Sequence, residues 1–152
     1  MNYIYTPIED YIKKLYHHLS IHVPEQIDII EMAAKLDIQL YFEGVTSKAI
    51  GLNSENCIFI DNRLSPQQQW QDFGHELCHL LMHAGNQLNL PIEFIKYQEH
   101  KAKNFSYHFC IPTFILEQLE LPLRETEAIE VIARTFNTEN DFAKTRLKNW
   151  IQ

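Results

Sequence analysis

Ser65-Pro66-Gln67-Gln68-Gln69-Trp70-Gln71-Asp72-Phe73-Gly74-His75-Glu76-Leu77-Cys78-His79-Leu80-Leu81-Met82-His83-Ala84-Gly85 is the stretch that decides how the rest of the chain is read. Serine before proline is a helix start. The hydroxyl accepts a first-turn N–H, and proline's fixed φ suits a position whose own N–H has no partner. Glycine is a stop signal, so the spacing predicts a helix from Ser65 to about Ala84. With His75 at 0° on a wheel of about 100° per residue, Asp72, Glu76, His79 and His83 fall within roughly 40–100°. Trp70, Phe73, Leu77, Leu80, Leu81 and Ala84 fall at roughly 140–240° on the same wheel. A polar, histidine-rich stripe therefore runs beside a separate core face.

Working outward, the period changes on the N-terminal side. Ile38-Gln39-Leu40-Tyr41-Phe42, Lys48 to Leu52 and Cys57-Ile58-Phe59-Ile60 are short β-rich runs, punctuated by Gly44, Gly51 and Asn53-Ser54-Glu55-Asn56. They predict a small antiparallel sheet of about three strands. Before them, Pro7 to Ser20 and Pro24 to Leu36 read as helices. After Gly85, helices are expected over Glu93 to Cys110, Thr126 to Phe136 and Thr138 to Trp150, with a short apolar segment from Phe114 to Leu119 and with Pro91, Pro112 and Pro122 as breaks. Helices, a small sheet, then helices make an α+β domain.

The composition agrees. The 152 residues are 45% hydrophobic and 12% aromatic, enough for one domain with a real core. Thirteen Lys plus Arg against 20 Asp plus Glu give a net charge of -7, which argues against general nucleic-acid binding. Cys57, Cys78 and Cys110 imply no disulfide framework, and a reducing cytoplasm is the expected compartment. Glu9, Asp10, Lys13 and Lys14 leave no signal-peptide core, and the uncharged stretch Leu77 to Ile92 is too polar to cross a membrane.

His75-Glu76-Leu77-Cys78-His79 is H-E-x-x-H on a predicted helix. Residues four apart sit about 40° apart on the surface, so two imidazoles can reach one ion, with Glu76 beside them as a base for a water. The plain alternative is a helix with chance histidines on its solvated side. A catalytic zinc site takes a third protein ligand, for which Glu93, Glu99, His100 and His108 are available. With Glu99 at 0° on the second helix, Ile95, Ala102, Ser106 and Cys110 lie within about 60°, while Lys101, Asn104 and His108 lie at about 140–200°. Glu99 is thus the carboxylate at the inward edge, where a bare charge is costly and a cation is wanted. The alternative for Glu99 is an ion pair or a solvated edge.

Gln98-Glu99-His100-Lys101-Ala102-Lys103-Asn104-Phe105-Ser106, then Cys110-Ile111-Pro112, resembles the second motif of the ImmA/IrrE family of metallo-endopeptidases. His75 to His83 resembles the first. The wording is similar to that of ImmA anti-repressor proteases of mobile elements and phages in Firmicutes. The resemblance implies a zincin-like domain spanning residues 1–152, its small antiparallel sheet packed against the active-site helix and surrounding helices. It implies a zinc-dependent endopeptidase that cleaves a helix-turn-helix repressor and derepresses mobile-element or phage genes. By position, it implies His75, His79 and Glu99 as zinc ligands and Glu76 as catalytic base. Many relatives carry a second Glu where this chain has Lys101, but the wheel turns Lys101 outward. A non-cleaving anti-repressor that binds its repressor through a peptidase-like fold is the other reading.

Other residues have competing roles. His83 is either a group supporting the site or a surface residue, and Tyr107 either an oxyanion donor or a packed aromatic. Asp72 either orients a histidine or serves the helix dipole. Cys78, at about 300° on the first wheel, reads as a small hydrophobe. The tail from Ile129 to Lys148 has a helix-turn-helix look with Lys144, Arg146 and Lys148, yet Ala128, Ile129, Ile132, Ala133 and Phe136 make an ordinary core face.

Overall fold

The computed structural model describes residues 3–52, 55–82 and 92–151. The elements run α1 (Pro7–His18), a 3₁₀ turn (Pro24–Gln26), α2 (Ile29–Lys35), β1 (Ile38–Glu43), β2 (Lys48–Leu52), β3 (Glu55–Asp61), α3 (Pro66–Met82), α4 (Ile92–Cys110), α5 (Thr113–Leu116), α6 (Glu125–Phe136) and α7 (Asn140–Trp150). This is the α+β arrangement expected from the sequence. The helix expected over Pro24 to Leu36 is instead a 3₁₀ turn followed by α2, with Ile27 in extended backbone between them. Gln26 accounts for the break: its side chain accepts the N–H groups of His22 and Val23 and closes a tight turn. The Gly85 stop, the Asn53-Ser54 turn and the surroundings of Pro91 lie outside the described residues.

The chain divides into two compact units, one of residues 29–106 and one of residues 1–28 with 107–152. The 29–106 unit holds the sheet and α3. Strand order is β1-β3-β2, with β3 parallel to β1 and antiparallel to β2. The sheet is therefore mixed, which corrects the all-antiparallel expectation. β3 carries the deepest apolar residues, Ile58 and Ile60, both 0% exposed. Such a strand takes the centre, where both flanks are covered, and leaves β1 and β2 at the edges. The chain must then carry β2 past the slot that β3 fills, which makes β1 and β3 parallel.

One sheet face packs on α3. Ile58, Ala49 and Leu40 share that face by register, and Leu80 of α3 lies against Gly51. On α3 the buried residues are Trp70, Phe73, Gly74, Leu77 and Cys78. The Trp70 and Phe73 rings stack 6.2 Å apart. The opposite sheet face carries Tyr41 stacked on Phe59, with the Lys48 ammonium over the Phe59 ring.

The other unit is helical. α1 opens with a reciprocal capping box: Thr6 Oγ1 accepts the Glu9 N–H, and Glu9 Oε1 accepts the Thr6 N–H. Tyr16, fully buried, donates its hydroxyl to the Phe109 carbonyl at 2.6 Å. Arg146, 1% exposed, donates to the Ile111 carbonyl at 3.0 Å and the Thr113 hydroxyl at 2.7 Å. Thr113 in turn donates to Glu9. Arg146 thus serves the core, while Lys144 and Lys148 are exposed. The basic cluster of the helix-turn-helix reading is broken up by this burial.

Candidate metal centre

α3 and α4 supply the side chains. Buried Phe73 and Leu77 fix the rotation of α3 and leave His75 and His79 on the opposite stripe, their side chains 27% and 13% exposed. On α4, Ala102, Phe105 and Ser106 are buried and Lys101, Lys103 and Asn104 exposed. That rotation brings the Glu99 carboxylate to both imidazoles: Oε2 lies 2.7 Å from His75 Nε2 and Oε1 3.1 Å from His79 Nε2. The two imidazole rings meet edge to face, centroids 5.2 Å apart. Glu99 is less enclosed than an inward carboxylate suggests, its side chain 43% exposed. It reaches the histidines from the rim, because the apolar stripe of α4 lies to one side of it.

Ligand atoms of His75, His79 and Glu99 all fall within 4.8 Å of one another, the one such metal-competent group among the described residues. A zinc ion with bonds of about 2.0–2.2 Å spaces tetrahedral ligand atoms about 3.4 Å apart, so small side-chain rotations close this set on one ion. Two imidazole nitrogens and a carboxylate form a donor set that suits zinc. The residues fit such an ion.

Glu76 lies half-buried on the same stripe. Burial, then the nearby carboxylates of Glu99 and Asp72, push its pKa up to about 8, and a hydrogen bond with the Ala49 backbone opposes the rise. Sequence reasoning missed Ala49, because a backbone N–H has no side-chain signature. Asp72 is half-buried one turn before Glu76 and adds negative charge to the stripe.

Cys78 is 2% exposed, and burial pushes its thiol up to about 12, so it stays a protonated packing group. Cys110 is buried and Cys57 half-buried in β3. His100 is exposed, and His108 half-buried. Tyr107 belongs to the helical unit, its ring 4.4 Å from that of Phe142. His83 and the Glu93 side chain lie outside the described residues.

The chain is 42% identical over 140 residues to the phage-like element PBSX protein XkdA of Bacillus subtilis (strain 168), which covers 92% of this chain and 71% of that protein. It is 40% identical over 147 residues to the uncharacterized protein YqaB of the same organism, covering 97% of this chain and 86% of that protein. Residues 33–148 match the Peptidase_M78 family model, the IrrE N-terminal-like domain, a stretch that holds α3, α4 and all three candidate ligands. The chain belongs to the Peptidase_M78 family of IrrE N-terminal-like domains.

Proposed function

We propose that this protein is a zinc-dependent endopeptidase that cleaves a helix-turn-helix transcriptional repressor in the cytoplasm and so derepresses the genes of a mobile element or phage. The observation that carries the reading is the convergence of His75, His79 and Glu99 from two helices, with the half-buried Glu76 beside them. Membership of a peptidase family supports the reaction class, and similarity to a protein of a phage-like element supports the setting. No helix among the described residues is long and apolar enough to cross a membrane. The family match runs from residue 33 to residue 148 and so draws on both compact units, which supports one metallopeptidase domain over residues 1–152.

His75, His79 and Glu99 would hold the ion. Bound there, a divalent cation supplies Lewis acidity toward a peptide carbonyl and brings the pKa of a water toward about 7. Glu76 takes the proton from the attacking water at its carboxylate and delivers it to the leaving amide nitrogen. Asp72 adds negative charge one turn away.

The test is incubation of the purified chain with the helix-turn-helix repressor encoded beside it, with and without chelator. The expected result is a discrete cut that chelator abolishes and zinc restores. Repressor that stays intact while forming a stable complex supports a non-cleaving anti-repressor instead and sinks the enzyme reading.

A further inference from the structure

β2 is an edge strand, paired only with β3 among the described residues. In an antiparallel pair, alternate residues turn both backbone groups toward the partner or away from it. Ala49 faces Ile58 across that pair, and its backbone hydrogen-bonds the Glu76 carboxylate. The Ala49 N–H therefore points off the free edge, and its neighbours Lys48 and Ile50 turn theirs to β3. The residues of β2 that face α3 are small. A Cβ built on Gly51 would sit 3.6 Å from Leu80 Cδ2 and 3.2 Å from Asn56 Oδ1, so the strand lies close against the helix at this point. Close approach of strand to helix is what brings a backbone donor within reach of a side chain beside the metal ligands.

We propose that the Ala49 N–H is a positioning group for Glu76, pinning its carboxylate to the edge of β2 and away from the His75–His79–Glu99 donor set. This rests on the reading of Glu76 as base. Glu76 adjoins His75 in sequence and shares its stripe. A carboxylate free to turn toward the cation would join the donors there and cease to be a free base. An N–H on a fixed strand restrains it without introducing a positive charge. A side-chain donor such as lysine would hold it equally well but would stabilise its ionised form and weaken it as a base.

The experiment is amide hydrogen exchange on the full zinc-loaded chain, followed residue by residue. The Ala49 amide is expected to be protected although it points off the free edge. Glu76→Ala should speed its exchange by about tenfold or more, with Lys48 and Ile50 left unchanged. Equal exchange of Ala49 in both proteins overturns the proposal. The second measurement removes the donor with Ala49→Pro, a change an edge strand accepts at an outward-facing N–H. Loaded with cobalt(II), this variant should show weaker visible d–d absorption than wild type, as a released Glu76 adds a ligand. Identical cobalt spectra in a folded Ala49→Pro chain overturn the positioning role even if the hydrogen bond exists. If Ala49→Pro does not fold, the exchange result decides. Neither measurement uses cleavage, so a chain that never cuts a repressor fails the proposed function and leaves this test intact.

Discussion

Glu76 and Glu99 are both carboxylates on the same site, and their surroundings separate their roles. Glu76 is desolvated, bonded to a strand and not among the metal-competent group; Glu99 lies at the rim, in contact with both imidazoles. Glu76→Gln keeps the shape and removes the base. It should retain stoichiometric zinc and lose about 10²–10⁴-fold in kcat, read by metal analysis beside a cleavage assay. Glu99→Ala should do the reverse, releasing zinc at micromolar chelator while changing folding stability by only about 0–1 kcal/mol, since the lost contact is a partly exposed pair. Full zinc occupancy in Glu99→Ala would falsify its role as ligand. The histidine pair is legible in the sequence because i and i+4 is a property of any helix. Glu99 needed a second helix wheel to be singled out from Glu93, His100 and His108. Ala49 had no legible signal at all, since its contribution is a backbone group whose direction depends on strand register.

At the scale of elements, the sheet and α1 carry the sharpest consequences. Ile58 of the central strand is 0% exposed against α3, so Ile58→Ala should cost about 2–5 kcal/mol in denaturant unfolding. It should also weaken zinc binding if the sheet sets the rotation of α3. Tyr41, 40% exposed on the other sheet face, should tolerate polar replacement with little loss. The strands themselves were readable as alternating or apolar runs, β2 with the expected bounds and β1 and β3 within two residues of theirs. Their order was not readable. Sequence proximity favours a simple meander, whereas burial demand places β3 between the other two. Gln26 misled in the same way: helical spacing of Ile27, Ile30 and Ala34 says nothing about a side chain that closes a turn ahead of them.

For the molecule as a whole, the buried Glu9–Thr113–Arg146 chain ties three segments far apart in sequence. Burial alone would raise the Glu9 pKa, but hydrogen bonds from Thr113, from the Thr6 backbone and from the Tyr3 and Thr6 hydroxyls outweigh it and bring it below 4.5. A carboxyl with a depressed folded pKa contributes stability that is present above its unfolded value and lost as pH falls through the folded one. Acid unfolding monitored by circular dichroism should therefore begin below about pH 4.5, and Glu9→Gln should flatten that limb. Burial also draws the Arg146 guanidinium down to about 10, still charged at neutral pH. Arg146→Met leaves the Ile111 carbonyl, the Thr113 hydroxyl and Glu9 without their donor or counter-charge, and should cost about 3–5 kcal/mol. Zinc should raise the unfolding temperature, by about 2.7 kcal/mol of added stability at a hundredfold excess over Kd, and chelator should remove that increment.

The sequence by itself determined the α+β class, the helix bearing His75, Glu76 and His79, and the inward face of α4, because those depend on periodicity and on end signals local to each segment. Tertiary structure decided the strand order, the partnership of Glu99 with both imidazoles, the hold of Ala49 on Glu76 and the burial of Arg146. Each of these depends on which surfaces meet once the core excludes water, and no local pattern of residues encodes which distant surface that will be.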